Sequence, residues 1–190
     1  MLDLALEFIR DELNGFITAR TGMSQETVVL SRFPSTTGNG YAFDADRIGM
    51  TVISLEEERT VRTQLPTHVL VNGQHVVREP DVKINVHTLI GANHQQYDEA
   101  LKFISLVIVF FQSHPVFTPA EYPALDPGIE RLAVELQSPT YEQLNQIWGF
   151  VGTKQLPSVV YKIRMVVLQD TEPGQTRPPL TAITTATSGR

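Results

Sequence analysis

A run of apolar residues from Phe103 to Phe111, interrupted only by Ser105, constrains this chain more than any other segment. Together with Leu101 it puts large side chains on almost every face of a helix, so that helix needs neighbours on several sides. The run is far shorter than the roughly 20 apolar residues that span a bilayer. It is therefore expected to be a buried helix, over 96–113, and its burial demands further layers. A chain of 190 residues can supply them within one domain and bury a substantial core without staples.

The periodicities say what those layers are. Leu2, Leu6, Ile9, Leu13 and Phe16 or Ile17 recur at helical spacing, with Glu7, Arg10, Asp11 and Glu12 opposite, which predicts an amphipathic helix over 1–20. Val28–Leu30 reads as a short strand. The Pro-, Gly-, Asn- and Ser-rich "SRFPSTTGNGYAFDADR" after it reads as a long loop, expected to be a contact or mobile segment. A central strand is expected at 48–57. In 67–78, two β-rich arms flank Asn72-Gly73, a dipeptide suited to a type I′ hairpin turn, and the hairpin is expected to project from the body. Val82, Ile84 and Val86 alternate with Lys83, Asn85 and His87, predicting a strand over 82–92. Pro115, Pro119, Pro123 and Pro127 predict an extended connection, and "RLAVEL" predicts a strand. Thr140 and Gln143 have capping-box spacing for a helix over 140–149, with Gly149 and Gly152 at its end. In the last strand, 158–168, Val159, Tyr161, Ile163, Met165 and Val167 take one face, and Lys162 and Arg164 the other.

The fold class is thus α+β: a single domain with a mixed, largely antiparallel sheet of about five strands, packed by an N-terminal helix, one buried central helix and one short helix. Residues 1–168 form that domain. Residues 169–190 are Thr/Pro-rich and poor in large apolar side chains, and are expected to be a flexible C-terminal tail that orders on a partner.

Composition removes whole classes of function. The chain has no cysteine, which excludes thiolate nucleophiles, iron–sulfur clusters and Cys-based zinc sites and fits a reducing compartment. The acidic residues among the first twelve are unlike a signal peptide, so no cleaved leader is expected. Fifteen Lys and Arg against 21 Asp and Glu give a net charge of −6, with no basic stripe, so neither nucleic acid nor membrane is an expected partner.

Candidate chemistry is sparse. His68 and His75 flank the Asn-Gly turn and fall on one face if Val71 pairs with Gln74, but two imidazoles without a third ligand make a poor zinc site. His87 and His94, seven apart, fall on opposite faces of a strand. "GNGYAF" lacks the third glycine of a dinucleotide fingerprint, and "GFVGTK" has the wrong spacing for a phosphate loop. Neither a G-x-S-x-G elbow nor H-E-x-x-H occurs. Glu56, Glu57, Glu58 and Arg59 form the one dense charge group. Consecutive residues at a strand end are usually solvated, so an inter-subunit salt-bridge set is a sharper reading than a catalytic acid pair. No catalytic residue, cofactor or metal is assigned, and the chain is read as a non-enzyme.

The segments "LALEFIRDELN", "ISLEEERT", "YDEALKFISLVIVFFQSHPVFTP" and "LDPGIERLAVELQSPTYEQLNQIWGFVGTKQLPSVVYKIRMVVL" occur in one order across 1–168. Together they resemble the N-terminal domain of the cap, or tail-terminator, proteins of extracellular contractile injection systems of the antifeeding-prophage type. The resemblance implies a structural protein that forms a ring, expected to be a hexamer, at the tail end distal to the baseplate, and ends growth of tube and sheath. Its implied partners are copies of itself and the terminal tube and sheath proteins. Its implied location is the cytoplasm during assembly and then the particle. Longer family members carry added C-terminal sequence where this chain has a short tail, so sheath contacts attributed to such an extension do not carry over. The alternative reading is a soluble adaptor of the same particle that forms no ring. Interface residues are expected among Glu56, Glu57, Glu58 and Arg59, where charge can set register between subunits. Asn72, Gly73 and His75 of the hairpin are expected to take part through exposed strand edges.

Overall fold

A computed structural model describes residues 1–23, 26–36, 40–58, 67–71, 74–78, 82–168 and 176–177; for 67–71, 74–78, 165–168 and 176–177 the description is of the backbone. The elements run α1 (Leu2–Thr21), β1 (Val28–Leu30), β2 (Arg47–Glu57), β3 (Thr67–Val71), β4 (Gln74–Arg78), β5 (Val82–Asn93), α2 (Tyr97–Ser113), β6 (Val116–Phe117), β7 (Leu132–Gln137), α3 (Tyr141–Val151), β8 (Ser158–Leu168) and β9 (Thr176–Arg177). The α+β class holds, with six strands in the main sheet in the order β1-β2-β5-β8-β7-β6, and a second sheet β3-β4-β9. The main sheet is mixed because β1 runs parallel to β2, while every other pairing in it is antiparallel.

The strand expected to be central, β2, is flanked on both sides only at Ile48–Met50, where β1 pairs with it; beyond that it has only β5 beside it among the described strands. In the hairpin Val71 does pair with Gln74. Asn72, Gly73 and Arg59 lie outside the described residues, as does the expected tail apart from Thr176–Arg177.

Both faces of the sheet are covered near β1. Neighbouring strand residues point to opposite faces. Ile90 and Tyr161 join α1 and α2 in one core, while Leu89 and Val160 join Phe33, Phe43 and Trp148 in another. Helix α1 buries Ala5, Leu6, Phe8, Ile9, Leu13 and Ile17, and ends at Gly22 in the left-handed region (φ 72°), as helices commonly do at a glycine. The amide of Asn14 then does the work of a strand. Its Oδ1 accepts from the N–H groups of Thr27 (2.9 Å) and Val28 (2.8 Å), and its Nδ2 donates to the Val28 carbonyl (2.9 Å), tying α1 to β1.

Two expectations change. Helix α2 buries one face, through Ala100, Phe103, Ile104, Val107, Phe110 and Phe111, and leaves Leu101, Ile108 and Val109 exposed on the other. The Pro-rich connection is turned and packed rather than extended: Tyr122 N–H donates to the Thr118 carbonyl, Phe117, Leu125 and Ile129 are buried, and Phe8, Phe117 and Tyr122 meet edge to face. Proline fixes local φ, but it does not stop the intervening apolar residues from folding back onto the core.

The loop after β1 is likewise anchored. Phe33 and Phe43 are buried, and a Pro34–Tyr41 bridge closes the loop. Gly49 of β2 stands opposite Gly91 of β5. A Cβ at Gly49 would lie 2.5 Å from the Phe43 ring, and one at Gly91 would lie 2.9 Å from Phe33, so the two glycines form the floor on which both rings rest.

Candidate functional site

Helix α3 begins with the capping box read from the sequence. Thr140 Oγ1 accepts from the Gln143 N–H (3.2 Å) and Gln143 Oε1 accepts from the Thr140 N–H (2.9 Å). Gly152, in the left-handed region at φ 74°, ends it, and Gly149 lies inside it. The helix covers the half of the second sheet face that holds Leu89 and Val160, with Trp148 against Phe33.

The other half of that face has no helix over it among the described residues, and it is charged. Register places Ser54, His87, Lys162 and Glu135 in one row across β2, β5, β8 and β7, with Glu56 and Asn85 paired in the next. Lys162 Nζ donates to Glu56 Oε2 at 3.0 Å, and His87 Nε2 lies 3.2 Å from the same oxygen. Arg164 donates to Glu135 Oε1 at 2.9 Å and reaches Glu58 Oε2 at 3.6 Å; Asn85 Nδ2 donates to Glu58 at 3.0 Å. The side chain of Glu58 is only 9% exposed, so it is held rather than solvated. The hydrogen bond from Lys162, reinforced by His87, holds the Glu56 carboxyl below its ordinary pKa. The bond to Glu135 raises that of Arg164. A depressed carboxyl pKa is the opposite of what a general acid needs.

Glu56, Glu57 and Glu58 are thus brought to one basin, of about 800 Å³, together with Lys162 and Arg164. Glu56 and Glu58 are engaged within the chain itself. His75 sits in β4 opposite Leu70 and Arg177, in the smaller sheet. His87 belongs to the charged face, whereas His94 stacks on Phe103 of α2 at 4.4 Å, where burial lowers its pKa. Among the described residues no group of three or more His, Asp or Glu is placed to hold a metal ion. No described helix is long and apolar enough to cross a membrane.

The sequence singles out the carboxylates but not their partners. Spacing alone puts Lys162 and Arg164 on one polar face and His87 on another. What joins them is the cross-strand register, which depends on two irregularities, at Val52/Ser54 and at Ile84/Val86. A bulge turns later residues to the other face.

No curated protein matches the chain. Among solved structures, the anti-feeding prophage cap, the AFP tube-terminating cap determined by cryo-EM, matches with TM-score 0.60 and 16% identity, covering 94% of this chain and 60% of that one. The sheath/tube terminator of PVC, an extracellular contractile injection system, in its extended state, matches with TM-score 0.55 and 14% identity, covering 94% of this chain and 63% of that one. The chain therefore spans about three-fifths of the length of each of these proteins, and at such identity the likeness is one of fold. The model of the Pvc16 N-terminal domain matches residues 5–182. With that match covering nearly its whole length, this chain belongs to the Pvc16 N-terminal domain family.

Proposed function

We propose that the chain is a structural cap, or tail terminator, of a phage-tail-like contractile injection system. In this reading copies of the chain close into a ring, expected to be hexameric, that sits on the last tube and sheath subunits and ends their polymerisation. The observation that carries it is the sharing of one fold, over 94% of the chain, with two terminator proteins, alongside the chain's own membership of the Pvc16 N-terminal domain family. Each copy in such a ring meets its neighbours through two different patches, because a closed cyclic assembly of more than two copies is heterologous.

The work is assembly without turnover, cofactor or metal, first in the cytoplasm and then within the particle. The charged face supports this use: its carboxylates are neutralised by fixed cations at short distance, an arrangement that gives orientation rather than reactivity. Residues Glu56 to Arg59 and the hairpin around Asn72, Gly73 and His75 are its proposed contacts. Mass measurement of the purified chain, alone and with tube protein, tests the ring. A hexamer in either sample supports it, and a persistent monomer in both favours the adaptor reading instead.

A further inference from the structure

Strand β5 hands over to α2 through a junction that is held firmly on one side only. The last residue of β5, Asn93, pairs with Arg47 of β2, and the Asp46 N–H donates to the Asn93 carbonyl (2.6 Å). Asp46 takes up the left-handed region at φ 62°, uncommon for a non-glycine residue, and its carboxylate accepts from the Gln95 N–H (3.3 Å). On the other side Gln96 is the N-cap of α2 but makes no side-chain capping bond, so this helix starts without the anchor that holds α3. Its backbone ladder opens with the Ala100 N–H donating to the Gln96 carbonyl (3.1 Å).

His94 lies between these two sides. Its ring stacks on that of Phe103, itself buried in the core, and both imidazole nitrogens are closed to solvent without a hydrogen-bond partner. A neutral imidazole has one donor and one acceptor to satisfy, and a charge in the same dry place is far more costly. Burial accordingly lowers the His94 pKa from the ordinary 6.5, while Asp46 at the entry to β2 and Glu99 in the first turn of α2 pull the other way. Of the other charged groups nearby in the chain, Arg47 is turned to Asp44 (3.5 Å), Lys102 to Glu99 (3.6 Å), and Asp98 shares the exposed first turn of α2.

We propose that His94 is a proton-operated latch at the junction of β5 and α2: neutral, it closes the junction against Phe103, and charged, it turns out to Asp46 and Glu99 and frees the start of α2. The two carboxylates give the charged ring a place to go, and the uncapped first turn gives way when the ring leaves Phe103. Because the folded pKa lies below that of the unfolded chain, the closed state has its full stability above the unfolded value and loses it as pH falls from there through the folded pKa. The latch is therefore shut at neutral pH and opens in mild acid. It belongs to the fold, and it stands whether or not the chain caps tails.

Two measurements on the whole chain across neutral to mildly acid pH test this: NMR titration of the imidazole C–H signals, and hydrogen exchange of the amides of Ala100 to Phe103, corrected for the intrinsic pH dependence of exchange. The His94 signal, identified by its loss in His94→Phe, is expected to titrate with a midpoint below 6.5. Protection of those amides should fall by at least about threefold over the same range in the wild-type chain and stay level in His94→Phe. Asp46→Asn keeps the acceptor for the Gln95 N–H but removes the charge, and together with Glu99→Gln it should move the His94 midpoint further down. These two variants and the wild-type titration remain decisive if His94→Phe fails to fold. A His94 midpoint at or above 6.5, protection that does not follow the titration, an equal loss in His94→Phe, or a midpoint unmoved by either carboxylate variant overturns the proposal.

Discussion

Adding one carbon at Gly49 tests how the second face of the sheet is built. In Gly49→Ala the new Cβ stands 2.5 Å from the Phe43 ring and 3.0 Å from Phe33, against 3.4 Å or more for ordinary contact. The Phe43 ring must retreat by about 1 Å, and overpacking of this kind costs about 1–3 kcal/mol. Alanine in a strand recovers about 0.5–1 kcal/mol over glycine through the unfolded chain. Taking the middle of each range, the net loss is about 1 kcal/mol, or about 2–4 °C in Tm for a domain of this size. Phe43→Ala alone should cost about 3–5 kcal/mol through the void it leaves. In the double variant the methyl group added at Gly49 occupies part of that void, so the combined loss should fall short of the sum by about 1 kcal/mol. Urea titration followed by fluorescence of Trp148, the chain's single tryptophan and a member of the same cluster, reads the effect where it arises. An unchanged or raised urea midpoint for Gly49→Ala, or strict additivity with Phe43→Ala, would refute the packing argument.

Other consequences follow from the same geometry. Asn14→Ala removes the side-chain acceptor shared by the N–H groups of Thr27 and Val28 and loosens α1 from β1, with an expected loss of about 1–3 kcal/mol in urea titration. Asn14→Asp keeps both acceptor contacts and should lose less. Because the folded pKa of Glu56 lies below its unfolded value, its contribution is present above the ordinary carboxylate range and is lost as pH falls through the folded pKa. The wild-type urea midpoint should therefore drop through that acid window by more than that of Glu56→Gln. Equal drops would mean that the Lys162 and His87 contacts contribute nothing. Phe150→Ala, at a side chain 64% exposed, should leave the urea midpoint nearly unchanged.

Sequence periodicity locates the helices and main strands well, because each is set by local spacing: the stripe of α1, the alternation in β5, the Thr140–Gln143 box of α3. It misjudges the segments whose state is decided by distant residues. The composition of the loop after β1 suggests a contact or mobile segment and gives no sign that its Phe33 and Phe43 rest on a glycine pair that the sequence separates from them and from each other. The apolar circumference of α2 gives no means of telling which residues meet the core, so Leu101, Ile108 and Val109 cannot be separated from Phe103 and Phe110 by spacing alone. The charged face is half legible. Glu56 to Glu58 stand out as a run, but Asn85, His87, Glu135, Lys162 and Arg164 come from three other strands, and their meeting depends on bulges that alternation does not reveal.

The claim at the centre of this account is that the chain ends a growing tail. Electron microscopy of particles assembled in cells lacking it tests that claim most directly. Tubes and sheaths of uncontrolled length, restored to uniform length when the chain is supplied again, are the predicted result. Particles of normal length with normally closed ends in its absence would contradict it.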